Sequence, residues 1–308
     1  MNGITLQSTA VRAAAAVVVL SWFAHGAAAA APIAAAQDSS APLPQVTITA
    51  AALEKKVHTF ISAVSGVPYW SDDDPVALWR TPICPLVAPL VAGLGAADGQ
   101  LLFDRLTDTL GSVGVPLGAT GCRPNFFVIV TAQPEATLDE MWRRGGRMFG
   151  DGTGSWSFVH TPRPVRIWYN ASFTDSDGAG PLPFEGVFGG FDGVPSFQHQ
   201  GLGLRQEFVA VPHLDSVIAI VDYARVMGLD WHQVADYIVM AGLTKVDLDA
   251  KFGDSPTILR LFSSSADDRP LALSEWDRAM LKELYSTSPT SRHQRLQVAT
   301  RMLHDVAP

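Results

Sequence analysis

Two cysteines in 308 residues are too few for a multi-bridge mini-scaffold or a four-thiolate zinc site. Basic residues are also in short supply. Lys and Arg number 22 against 30 Asp and Glu, a formal charge of -8, which leaves no electrostatic footprint for a phosphate backbone or an anionic membrane surface. Nucleic acid is therefore not an expected partner. There is no internal repeat, no heptad array and no Gly-x-Ser-x-Gly nucleophile elbow. The apolar excess is concentrated in an alanine-rich start rather than spread over several membrane spans. What is present is a chain with 47% hydrophobic and 17% charged residues, enough to bury a substantial core.

Residues 1–36 carry no acid and a single base, Arg12, followed by the apolar run Ala13 to Leu20 and a tract of small residues through Ala31. That order reads as a secretory signal peptide, with a mature start between about Ala27 and Gln37. No Cys follows the apolar run, so no lipid anchor is expected there. An uncleaved anchor is the competing reading, but alanine is weakly apolar and His25-Gly26 interrupts the stretch. Cleavage leaves the mature chain one unit more negative and no membrane span, and places it in the periplasm or outside the cell. In such an oxidising compartment Cys84 and Cys122 are expected to pair. The bridge would close a loop of about 38 residues, worth roughly 3–4 kcal/mol in the chain-entropy model.

Residues 37–50 read as a flexible lead-in, and 51–308 as a single α+β domain with a mixed sheet, flanking helices and a helical C-terminal third. From Ala51 the apolar positions Leu53, Val57, Phe60, Ile61 and Val64 recur at helical spacing until Gly66 and Pro68. Further helices are expected over 100–113 and 134–148. Strands are expected over 78–84, 126–130, 165–169, 207–211 and 217–221. The runs Phe126 to Val130 and Val217 to Val221 are continuously apolar, as in strands covered on both faces. Residues 174–203, dense in Gly, Pro and Phe, break the pattern and read as a long surface loop.

The chemistry-bearing patterns are sparse. Gly150 to Ser155 follows a helix and lacks the Lys-Ser/Thr ending of a phosphate loop, so it reads as a turn. Asp72 to Asp74 and Asp175 to Gly178 lack the spacing of a calcium loop. The segment Leu229 to Ile238 is more informative: a helix entered directly after a buried strand, with His232 and Asp236 one turn apart. That is metal-ligand spacing, and a third ligand would come from His213, His199 or Asp247. The same residues also have ordinary duties. Asp230 and Gln233 form a capping box, and Trp231, Val234, Ala235 and Ile238 make the buried stripe, which leaves His232 and Asp236 toward its edge.

The blocks Arg80-Thr81-Pro82-Ile83-Cys84-Pro85, Gly121-Cys122-Arg123-Pro124-Asn125, Pro164 to Tyr169, and Ala235-Asp236-Tyr237 with Met240 to Leu243 resemble an exported bacterial protein family of unknown function. More distantly, the C-terminal third is similar in layout to zincin-type metallopeptidases: a strand, an active-site-type helix, the segment Pro256 to Phe262, then Leu273 to Asp277 leading to Leu284-Tyr285. The resemblance implies a zincin-like fold. It places His232 at the first zinc ligand, Gln233 where the general-base Glu stands and Asp236 where the second His stands. Gln cannot accept a proton from a bound water. The expectation is thus an exported protein with a binding or envelope-associated role and no cofactor, its partner an unidentified protein or envelope component. The alternative is a zinc-dependent hydrolase using His232 and Asp236. A further possibility is that Phe184, Phe188, Phe191 and Phe197 form a contact surface.

Overall fold

The computed structural model describes residues 50–65, 76–92, 94–145, 158–174, 211–288 and 293–306. The expected signal peptide, the lead-in, the glycine turn at 150–155, both acidic loops, His199 and the phenylalanine-rich loop lie outside them. Among the described residues no helix is long and apolar enough to cross a membrane.

β5 (Val211–Asp222) is the spine of a five-stranded sheet. β3 (Phe126–Thr131) runs parallel to it, with Phe126 opposite Val217 and Thr131 opposite Asp222. β1 (Leu78–Trp79) also pairs in parallel with β5, at His213 and Leu214, so β1 and β3 share one edge of β5 end to end. β2 (Pro85–Pro89) lies outside β3 in parallel register, and β4 (Val165–Thr174) pairs antiparallel along the other edge of β5. The single strand expected over 78–84 is therefore two. The chain leaves β5 after Trp79 and steps outward to β3, which vacates the place that β3 occupies.

β2 escapes a periodicity reading because it contains two prolines. The amide of Leu90 bonds to Val130, so the even-numbered positions of β2 face β3 and Pro85, Val87 and Pro89 face outward. Proline is tolerated there because those amides have no partner to lose. It also removes two of the three outward donors and so blunts the edge against further strand pairing.

Helices cover both faces. α1 (Ala50–Ser65) begins and ends where the spacing predicts, and α2 (Ala96–Ser112) starts four residues earlier than expected, at Gly95 and Asp98. α2 carries the chain from β2 back to β3 in a parallel crossover, the connection that parallel neighbours require. Its Leu102, Leu106 and Leu110 pack with Phe126, Val128 and Val130. α3 (Pro134–Gly145) lies on the opposite face, where Leu138, Phe158 and Val159 cover Ile218 and Ile220. Both faces of β3 and β5 are thus covered, as their continuous apolar runs lead one to expect, although Phe127 and Ile129 on the α3 side of β3 are only half-buried.

After β5 the chain turns through α4 (Tyr223–Val226) into α5 (Trp231–Leu243), then α6 (Glu275–Ser286) and α7 (Gln294–Val306). The helical C-terminal third is as expected, and the sheet is mixed. Strands and helices alternate and pair mainly in parallel, however, so the architecture is α/β-like rather than segregated α+β. Cys84 and Cys122 form a disulfide with Cα atoms 6.0 Å apart, tying the start of β2 to the loop before β3.

Candidate functional site

α5 is buried from Gln233 to Leu243, which is why its apolar residues surround it instead of forming one stripe. A buried helix must satisfy its terminal backbone groups without water. The N-terminus has the expected capping box: Asp230 Oδ1 accepts from the His232 amide at 2.9 Å, and Gln233 Oε1 accepts from the Asp230 amide at 3.2 Å.

The C-terminus is satisfied by side chains from four places in the fold. Thr244 Oγ1 donates to the Met240 carbonyl at 2.8 Å, and Tyr169 Oη of β4 donates to Ala241 at 2.8 Å. Trp79 Nε1 of β1 donates to Gly242 and Tyr285 Oη of α6 to Leu243, each at 2.9 Å. The last four carbonyls of the helix therefore each have a donor. Burial raises the Tyr169 and Tyr285 hydroxyls well above the ordinary tyrosine range, which holds them as donors. Gly242 is needed for the approach itself, because a Cβ there would lie 2.5 Å from Phe126 Cζ.

Asp236 is fully buried near the middle of α5, not at the edge of a stripe. Its Oδ1 accepts from Arg105 Nε at 2.8 Å and Thr109 Oγ1 at 3.0 Å. Its Oδ2 accepts from Arg105 Nη2 at 2.7 Å and the Leu273 amide at 2.9 Å. The carboxylate has about four lone-pair sites, and each now has a donor. The bonds to Asp236 raise the Arg105 guanidinium above its usual range.

His232 sits apart from that network. Its side chain is 49% exposed, and its Nδ1 lies 2.8 Å from Asp230 Oδ1. Gln233, at the general-base position of the resemblance, donates its Nε2 to the Pro270 carbonyl at 2.8 Å while its oxygen serves the cap. For a divalent cation the donor set is a poor fit, because the Asp236 oxygens face a guanidinium and two further donors. Asp247 Oδ1 is engaged by the Asp249 amide at 2.9 Å. Among the described residues no group of three or more His, Cys, Asp and Glu is arranged to hold a metal.

His213, the other candidate ligand, belongs to a constellation that no sequence pattern announces. β4 and β5 shift register between Asn170 and Ala171, so Asp215 is an extra residue in β5. This bulge brings three polar groups together. Ser172 Oγ lies 2.8 Å from His213 Nε2 and 3.0 Å from Asp215 Oδ1, and His213 Nε2 lies 2.9 Å from the same Asp215 oxygen. Among the described residues His213 Nδ1 is buried with no hydrogen-bond partner. An ionised carboxylate oxygen can only accept, so with Asp215 Oδ1 2.9 Å from Nε2 the neutral ring carries its proton on Nε2. In that tautomer Nε2 donates to Asp215 and cannot take the Ser172 proton or bind a metal. The trio is a Ser/His/Asp set in composition without the polarity of a nucleophilic triad.

A second polar lock lies next to the one around Asp236, with the adjacent amides of Leu273 and Ser274 donating to Asp236 and Asp277 in turn. Asp277 is buried and accepts from Thr257 Oγ1 at 2.6 Å, the Ile258 amide at 2.8 Å and the Ser274 amide at 2.9 Å. Burial nevertheless pushes this carboxyl upward. Asp277 joins the segments Pro256 to Phe262 and Leu273 to Asp277, together with Ser274, whose hydroxyl donates to the Pro256 carbonyl.

No family model matches the chain, and no curated protein or solved structure matches it.

Proposed function

We propose that this chain is an exported, non-catalytic binding protein on a zincin-like scaffold, in which α5 is the keystone of the core rather than an active-site helix. The observation that carries the reading is Asp236: all of its acceptor capacity is spent on Arg105, Thr109 and the Leu273 amide. The cap formed by Asp230 and Gln233 and the four carbonyl bonds at the other end point the same way, since these polar groups all have structural duties. The disulfide and the signal-like start support export. The partner is an unidentified protein or other component of the envelope.

The test is metal content by mass spectrometry of protein purified from the periplasm, beside His232→Ala prepared identically. The expected result is no stoichiometric metal in either protein. One equivalent of zinc in the wild type that is lost in the variant would overturn the reading in favour of a metal-dependent hydrolase, because open catalytic sites hold the ion by about three protein ligands.

A further inference from the structure

The sheet carries a groove on the face opposite α5. It has a volume of about 610 Å³, with Leu90 and Ile129 of the sheet on one side and Ala136, Thr137 and Met141 of α3 on the other. Glu140 and Arg144 also line it. Cavities of roughly 300–1,000 Å³ with apolar walls and a few polar groups are the usual size and make-up of small-molecule sites.

Its position in the fold is a second, separate observation. β2 and β3 are parallel neighbours, and the helices that follow them go to opposite faces: α2 joins the core against Phe126, Val128 and Val130, whereas α3 covers Ile218 and Ile220. Leu90 follows the last residue of β2, and Ile129 is near the end of β3. The groove therefore starts at the carboxyl ends of two strands where the chain reverses its winding, which is the place where open α/β sheets take ligands.

The chemistry of the walls narrows the occupant. An added strand is disfavoured, because Pro85 and Pro89 face outward on β2 and leave Val87 as its one outward donor. The occupant must then be held by apolar contact. Leu86 and Leu90 are exposed on this strand and extend the apolar wall. Along α3, Arg143 and Arg144 share the single carboxylate of Glu140, so the Arg144 guanidinium, with five N–H donors, keeps donor capacity for a second anion at this end of the groove.

We propose that the groove binds one amphiphile from solution, with an apolar chain along Leu90, Ile129 and Met141 and an anionic head, such as a fatty carboxylate, near Arg144. This rests on the binding reading above and names its ligand class. The test is calorimetric titration with dodecanoate, with dodecyltrimethylammonium as the cationic counterpart and vesicles of anionic phospholipid as a membrane probe.

Saturable uptake of one dodecanoate is expected, weakened about tenfold or more, or 1.4 kcal/mol, by Ala136→Trp, which fills the groove from an exposed helix position. Arg144→Glu keeps the groove open and should weaken dodecanoate while leaving the trimethylammonium compound unaffected or improved. No saturable binding up to about 1 mM, equal binding by Ala136→Trp, or association with vesicles alone would overturn the proposal. Its failure is separable from that of the non-catalytic reading. Stoichiometric metal with intact, Ala136→Trp-sensitive dodecanoate binding removes the non-catalytic reading and supports the groove, whereas metal-free protein without dodecanoate binding removes the groove alone.

Discussion

Replacing Arg105 by Met separates a structural Asp236 from a ligand Asp236. The substitution keeps the aliphatic stem but removes two of the four donors to a carboxylate that is 0% exposed. Breaking a buried ion pair by deleting one partner costs about 3–5 kcal/mol, because the other charge stays behind without compensation. Arg105 is 27% exposed, so water can reach the vacated side of the carboxylate, and the lower end, about 3 kcal/mol, is expected. With a urea slope of about 2–3 kcal/mol/M, the unfolding midpoint falls by about 1–1.5 M. The double variant Arg105→Met with Asp236→Leu should recover much of that loss, since replacing both members of a buried pair by apolar residues is often neutral. The assay is urea unfolding followed by circular dichroism with the disulfide intact. An Arg105→Met protein within about 0.5 kcal/mol of the wild type would refute the reasoning, and a gain of bound zinc in that variant would show that Arg105 had been masking a ligand.

Other outcomes follow from the same contacts. Tyr285→Phe and Tyr169→Phe each leave a carbonyl of α5 without its donor, and each should cost about 1–3 kcal/mol in urea unfolding. Gly242→Ala drives a methyl into the Phe126 ring and should cost about 1–3 kcal/mol, with partial recovery when Phe126→Leu is added. Reducing the bond between Cys84 and Cys122, measured as unfolding with and without reductant, should remove about 3–4 kcal/mol. Burial raises the Asp277 carboxyl, so the folded state holds that proton to higher pH than the unfolded chain. The resulting stabilisation is present at low pH and is lost as pH rises through the raised value. The destabilisation by Asp277→Asn should accordingly be larger near pH 4.5 than near pH 8, on the order of the reference carboxylate range and above it. A cost independent of pH would remove burial as the cause.

The amino-acid sequence by itself determined the local features. The apolar spacing from Leu53 to Val64 gave α1, because a helix that packs on one side repeats its buried positions every three or four residues. The unbroken apolar runs of β3 and β5 announced strands covered on both faces, and Asp230 with Gln233 marked the start of α5. Two cysteines in a chain with a signal-like start were enough to foresee their bond. Each of these depends on neighbours in the chain or on composition. β2 was hidden, since whether Pro85 and Pro89 end a strand depends on which way their nitrogens face, and that is set by β3.

The site shows the same division more sharply. One helical turn between His232 and Asp236 suggested a shared face, but only the fold decided that Asp236 meets Arg105 of α2, 131 residues away in sequence, while His232 stays with Asp230. The bulge that joins Ser172 to His213 and Asp215, and the groove between β2 and α3, likewise come from register and winding. Spacing along the chain fixes what a segment can become. Which charge neutralises a carboxylate, and which carbonyl receives a hydroxyl, is settled by groups that meet only after the sheet has formed and water has been expelled from between its helices.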